Sequence, residues 1–488
     1  MSDFPECRKF TSDEIEIKFS KAINLTLGEV DVNNTFRNKL HKGIAGVIVE
    51  QSILGYPANS EQGHDILLDG KPTEVKTTGL RRRDNQLYAK EPVSITAVSI
   101  DRIGKEDFFH SHFWDKVQQI LFVYYLYDSD KKAEYSDYAD FPILDYQIFR
   151  GDRRAVELMK NDWECIQKFI VMLQTDYEDP ESQYPRLSHE LRSVLVVLDT
   201  APKYPNNPRF RFKRAYVDYI VQKHFSETKE EYLQIKMDRY ADLDAECERL
   251  SKLYGRRTVG DIAEELGTSC DSKNASEQLI VRMFGGKSKK LAKIEQFVEC
   301  SVFCKSVVLS CTGKRTEDCK FYTVDFEEML SPDITDFTDS VLYDFFANHQ
   351  FVIALLREPY NKCSFSENMF LGFQRITMPE EVIDEAYRCW SDLRETYSSG
   401  NLKETILMKD GEPIINKCGT IRTSVNFPKS KNYLVFMRGT AQNSKGKTVT
   451  IGNIKVYPTQ IWIKGSYIVE QIHNSPFMKN FNGDCKQK

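Results

Sequence analysis

Residues 65–76, DILLDGKPTEVK, read as one tight β-hairpin. Asp69-Gly70 is a strong two-residue turn signal, because both central positions of such a turn need positive φ. A hairpin closed there pairs Leu68 with Lys71 and Ile66 with Thr73, and sets Asp65 opposite Glu74. Directly opposed like charges destabilise a sheet by up to about 1 kcal/mol, so a fold that keeps them commonly supplies a cation. Side chains alternate along a strand, which puts Lys76 on the face of Glu74. The expected cluster is two carboxylates and an amine.

Those are the parts that phosphodiester hydrolysis requires. Mg²⁺ takes hard oxygen ligands, commonly one or two carboxylates, and leaves the rest of its octahedron to water and phosphate. Asp65 and Glu74 fit that role. A lysine beside such an ion can orient the attacking water or stabilise developing negative charge, which is the part expected of Lys76. The competing reading is a solvated strand face, since Asp and Glu together number 72.

At 488 residues and 56.7 kDa the chain exceeds one ordinary core, and two or three domains are expected. There is no run of eighteen apolar residues, and MSDFPECRKFTSDE at the amino terminus lacks an apolar leader core. The expectation is a soluble, cytoplasmic protein with no membrane partner. Twelve cysteines without a compact framework suit reduced thiols, and Cys300, Cys304, Cys311 and Cys319 lack the paired spacing of structural zinc. A net charge of −5 excludes a globally basic nucleic-acid coat, so any DNA contact must be local. Basic clusters occur at Arg81 to Arg83, at Arg209, Arg211, Lys213 and Arg214, and at Lys287, Lys289, Lys290 and Lys293. The second interleaves its cations with Phe210, Phe212, Tyr216 and Tyr219, a mix suited to phosphates and base edges.

Lys42 to Gly55, KGIAGVIVEQSILG, has the apolar spacing of a buried-face helix, with Glu50 late on it. Two β-rich stretches follow the hairpin, and the second, WDKVQQILFVYYLY, reads as a central strand. Residues 153–175 and 212–255 look helical, the latter highly charged. Thr26-Leu27-Gly28-Glu29-Val30 is echoed by Thr258-Val259-Gly260-Asp261-Ile262, which argues for duplicated domains. In the second copy Phe303-Cys304-Lys305 stands for Glu74-Val75-Lys76 and Ile294 for Asp65, so its carboxylates are gone. TVGDIAEELGTS alternatively reads as the start of a helix-turn-helix, without an obvious recognition helix.

With these residues in view, the chain resembles the MutH and Sau-type restriction endonuclease family. The resemblance rests on KGIAGVIVEQSILG, on Asp65 with Glu74-Val75-Lys76, and on Trp114-Asp115-Lys116 before the hydrophobic strand. It implies catalytic roles for Asp65, Glu74, Lys76, Glu50 and Lys116, with Asp65 and Glu74 on Mg²⁺, and DNA contacts from Arg209, Arg211, Lys213 and Arg214. The whole length is similar to the two-domain, GATC-cutting form. NFPKSKNYLVFMRGTAQNSKGK looks like its late signature, though Met437-Arg438-Gly439-Thr440 replaces the Arg-Pro-His of relatives and an aspartate expected after Asn443 is missing.

The resemblance implies an α/β fold of two tandem restriction-endonuclease-like domains, each a mixed sheet flanked by helices, the second a degenerate copy. The expected organisation is a catalytic domain over 1–225, a helical linker over 226–257 and a noncatalytic DNA-binding domain over 258–488. The implied activity is type II cleavage of double-stranded DNA, leaving 5′-phosphates at GATC-like sites. Expected partners are effector DNA, a cognate DNA methyltransferase and further copies on DNA-dependent oligomerisation. The rivals are a mismatch-repair nicking enzyme and a noncatalytic DNA-binding regulator.

Overall fold

The computed structural model describes residues 4–38, 41, 43–57, 63–83, 86–127, 129, 133–201, 207–226, 230–272, 274–315, 317–416, 419–440 and 446–473. Lys42 of the expected helix and residues 441–445 of the late signature, Asn443 among them, lie outside the described residues. The chain forms two compact units, Met1–Leu243 with Ile294–Ser301, and Asp244–Lys293 with Val302–Lys488.

The first unit holds strands β1 (Lys9–Phe10), β2 (Ile66–Leu68), β3 (Lys71–Arg83), β4 (Gln86–Ala89), β5 (Val93–Ala97), β6 (Ile120–Leu126), β7 (Ile143–Phe149), β8 (Leu198–Ala201) and β9 (Arg209–Phe212). Its main sheet runs β1-β2-β3-β6-β7, with β4 paired to the far end of β3. The sheet is mixed: β2 and β3 are antiparallel, β3 and β6 parallel, β6 and β7 antiparallel. Strand β6, ILFVYYL, is buried along nearly its whole length, as a central strand covered on both faces must be. Helix Arg153–Asp176 follows β7, started by the Asp152 carboxylate on the Ala155 N–H, and buries an apolar stripe that includes Leu158, Trp163, Ile166 and Ile170. A smaller sheet, β5-β9-β8, completes the unit.

In the second unit, strand Val302–Leu309 runs parallel to Gln350–Arg357, which is antiparallel to Met369–Thr377. This repeats the senses of β3, β6 and β7. Helix Glu380–Ser398 follows, as Arg153–Asp176 does in the first unit. The local joints repeat as well. Asn24 and Arg256 both take left-handed backbone, at φ 69° and 66°. Three residues on, the Leu27 N–H donates to the Phe141 carbonyl and the Val259 N–H to that of Asn368, each just before the third strand. Asp107 caps a short turn through the Phe109 N–H, and Ser111 then caps the helix His112–Val117. Asp336 and Ser340 do the same for Thr338 and for the helix Val341–Asn348. The second unit thus repeats the strand senses and local joints of this part of the first.

Parts of the sequence reading are corrected. Helix is not continuous over 212–255: it covers Arg214–Phe225 and Tyr240–Tyr254, and the unit division falls within the latter, between Leu243 and Asp244. Of the described residues in the expected 226–257 linker, helix covers Tyr240–Tyr254. Leu233 and Met237 are buried, and the Gln296 side chain accepts from the Leu233 N–H and donates to its carbonyl, replacing helical bonds. Ile294 does not stand in the second unit as a counterpart of Asp65; it belongs to the first, where it bridges Glu231. Cys300 is buried in the first unit, Cys304 and Cys319 on strands of the second. No helix among the described residues is long and apolar enough to cross a membrane.

Candidate active site

The hairpin closes at Asp69-Gly70, with φ of 51° and 72°, in the expected register of Ile66 on Thr73 and Leu68 on Lys71. Its ladder stops short of Asp65. The expected Asp65–Glu74 strand pair does not form, and the Glu74 N–H donates to the Gln119 carbonyl ahead of β6. Asp65 instead accepts the Val75 N–H on Oδ2 at 2.8 Å. The two carboxylates still share one corner of the sheet.

Glu74 sits between two ammonium groups. Lys76 Nζ reaches its Oε1 at 2.9 Å, and Lys116 Nζ its Oε2 at 2.7 Å. Lys116 comes from the short helix His112–Val117, is 7% exposed, and also donates to the Gly63 carbonyl. Burial opposes the Glu74 charge, yet the two lysines outweigh it and hold its pKa below the ordinary carboxylate value. Burial and then the Glu74 charge push Asp65 upward, against the Val75 N–H.

Glu50 enters from a helix that changes pitch. Ile44–Ile48 is α-helical, and Val49–Leu54 continues as a π turn closed by left-handed Gly55, whose N–H and that of Tyr56 both reach the Glu50 carbonyl. Burial first, then Asp65 and Glu74, raise the Glu50 pKa to about 7. Such a group binds a proton in the folded state that it releases in the unfolded one, so its stabilising contribution is full below the unfolded value of about 4.5 and lost as pH rises through about 7. The thermal midpoint of the metal-free protein should fall between about pH 5 and pH 8, and Glu50→Gln should flatten that decline. An unchanged slope in the variant would assign the decline to other groups.

An open pocket of about 460 Å³ is lined by Glu74, Lys76, Lys116, His112, Asn207 and Arg209, with Thr96 to Arg102 along one wall. Of the four basic residues expected to meet DNA, Arg209 lines this pocket and donates to Ser94 Oγ at 2.9 Å. Arg211 forms a two-point pair with Asp199. Lys213 and Arg214 correct the expectation: both are buried, Lys213 donating to the Leu195 carbonyl and Arg214 to that of Ala89. They leave the alternating strand at the start of Arg214–Phe225 and turn into the unit, so they are structural cations.

Sequence reading did not single out Arg8, Tyr56, His64, His112 or Asn207. His64 and His112 are depressed below the ordinary histidine value by burial and then by Lys116. The Tyr56 hydroxyl and His64 Nδ1 are buried without a hydrogen-bond partner in the structure. The Ser111 cap and the following Lys116 offered a signal for His112; nothing local marks the others.

In the second unit the same corner is filled differently. Lys116 is the fifth residue after the capping Ser111, and the fifth after Ser340 is Phe345. Its ring meets that of Phe303, the residue in place of Glu74, edge to face at 5.3 Å. An aromatic contact stands where the first unit has an ion pair.

Residues 54–162, which carry Asp65, Glu74, Lys76 and Lys116 at one corner of the mixed sheet, match the family model for the DNA mismatch repair enzyme MutH. The type II restriction enzyme Sau3AI of Staphylococcus aureus is 22% identical over 387 residues, covering 71% of this chain and 75% of that protein. Over these stretches the chain is similar to site-specific endonucleases of the MutH and Sau3AI kind.

Proposed function

We propose that the protein is a type II restriction endonuclease, hydrolysing double-stranded DNA at a short GATC-like sequence with Mg²⁺ and leaving 5′-phosphates. The observation that carries this is Glu74 clamped between Lys76 and Lys116 with Asp65 bonded to the intervening Val75 N–H. The donor set fits a divalent ion. Among the described residues no group of three His, Cys, Asp or Glu side chains stands ready to hold a metal, but two carboxylates with phosphate and water suffice for Mg²⁺. Burial and, after it, neighbouring carboxylate charge raise Asp65 and Glu50, and a cation would relieve that charge.

A divalent ion held by Asp65 and Glu74 supplies charge neutralisation at the scissile phosphate and a more acidic water. Lys76 would orient the attacking water or meet the developing charge, and Lys116 would add a second positive group. Glu50 assists from the helix side, directly or through water. Arg209 contacts the strand in the pocket. The first unit is the catalytic domain. The second, with its aromatic pair and without the carboxylates, binds a second DNA copy and stimulates cutting. A cognate methyltransferase protects the host sequence, and DNA drives any oligomerisation.

Digestion of unmethylated and methylated phage DNA, followed by end sequencing, tests this reading. Defined double-strand ends that require magnesium and disappear with chelator are expected, and a two-site plasmid should be cut faster than a one-site plasmid. Relaxed circles in place of linear product would favour the nicking rival. Mobility shifts without metal-dependent products would favour the regulator, which leaves Asp65, Glu74 and Lys76 without a role.

A further inference from the structure

We propose that Arg8 is a positioning residue of the nuclease site, fixing the segment that carries Asp65. The inference rests on the proposed roles of Asp65 and Glu74. The amino-terminal strap lies along the hairpin: Lys9 and Phe10 of β1 pair with Leu67 and Leu68, and the Asp69 N–H donates to the Phe10 carbonyl at 2.9 Å. Just ahead of β1, Arg8 is turned inward and is only 4% exposed. Its Nε donates to the Asp65 carbonyl at 2.8 Å and its Nη2 to the His64 carbonyl at 2.6 Å. One rigid, planar group thus grips two consecutive peptide units, the second belonging to the aspartate itself.

The guanidinium also lies 4.4 Å from the Phe4 ring centroid and 6.0 Å from that of Tyr56. Burying a guanidinium is costly unless negative charge lies near. Here the carboxylates supply it. The Glu50, Asp65 and Glu74 carboxyl groups stand among Lys76, Lys116 and Arg8. Both lysines are hydrogen-bonded to Glu74, whereas Arg8 binds the backbone of Asp65 itself. Its attraction is also felt at Glu50. A residue with only a structural task could be served by any well-packed side chain; a positioning residue needs both donors and the charge.

The test compares Arg8→Ala, Arg8→Lys and Glu74→Ala with the full-length wild type, measuring single-turnover cleavage, metal-free DNA binding by gel shift, and thermal unfolding. Displacing Asp65 by a fraction of an ångström should lower kcat about 100-fold in Arg8→Ala. KM and metal-free affinity should stay near wild type, since no DNA contact is removed. Arg8→Lys, which keeps the charge but reaches one carbonyl, should fall between. Millimolar guanidinium should restore part of the Arg8→Ala rate and none of the Glu74→Ala rate. A folded Arg8→Ala that cuts at the wild-type rate, or that loses DNA affinity instead of kcat, overturns the inference. Where Arg8→Ala does not fold, Arg8→Lys decides, and a wild-type kcat there overturns it as well. Cutting by Glu74→Ala would instead overturn the nuclease assignment of this corner, a separate result.

Discussion

Glu74→Gln should abolish DNA cleavage, lowering the rate by about 1000-fold or more while metal-free DNA binding survives. The side chain keeps its length, and its remaining carbonyl oxygen can accept from one lysine. What disappears is the charge that Lys76 and Lys116 both answer. Glutamine is a weak ligand for a hard divalent ion, so the proposed pair with Asp65 is lost as well. Glu74→Ala removes the same charge with a larger side effect. It leaves Lys116 buried with no carboxylate, and breaking a buried pair from one side typically costs about 3–5 kcal/mol. The two variants together separate chemistry from folding: both should be inactive, but only the alanine form should lose much of its thermal stability. Magnesium-dependent cutting by a folded Glu74→Gln protein would remove this residue from the proposed metal pair.

Asp162→Ala should destabilise the first unit by about 3–5 kcal/mol with no direct effect on DNA affinity. Asp162 is 1% exposed on the long helix and accepts the N–H groups of Val196, Val197 and Leu198 at 2.7 to 2.9 Å. Burial works to raise its pKa, while the Lys213 charge and those three donors work to lower it. The alanine form would strand three buried donors and a buried ammonium together. For a domain of this size, 1 kcal/mol corresponds to about 2–4 °C in Tm, so a fall of roughly 6–20 °C is expected. Lys213→Met should move in the same direction. Should either variant lose DNA affinity at unchanged Tm, Lys213 would return to the surface role that its neighbours in sequence suggested.

The hairpin could be read from sequence because its information is local. Asp69-Gly70 specifies a turn, the turn specifies the register, and the register places Glu74 and Lys76 on one face. The duplicated Thr-x-Gly segments were legible for a similar reason, since each marks the same joint between a turn and a strand edge. Charge patterns were less faithful. Arg209 and Arg211 alternate with Phe210 and Phe212 as a strand requires, but Lys213 and Arg214 break the alternation where the helix begins, and a basic composition does not say which cations turn inward. The acidic and basic residues around Leu233 imitate a solvated helix, while the distant Gln296 supplies the backbone partners that favour another conformation there. Arg8 was invisible for a deeper reason. It acts across 57 residues on carbonyl groups, which every residue possesses and no sequence motif announces.

The ring contact between Phe303 and Phe345 gives the two halves of the chain different sensitivities. A corner built from ammonium and carboxylate answers to protons, dissolved salt and ions, because its energy depends on what screens or replaces each charge. A greasy plug of two phenylalanines answers mainly to temperature and volume. One arrangement of strands and caps is thus carried in two materials, the first responsive to its surroundings at the cost of internal tension, the second relieved of that tension and indifferent to the ionic conditions in which its twin must work.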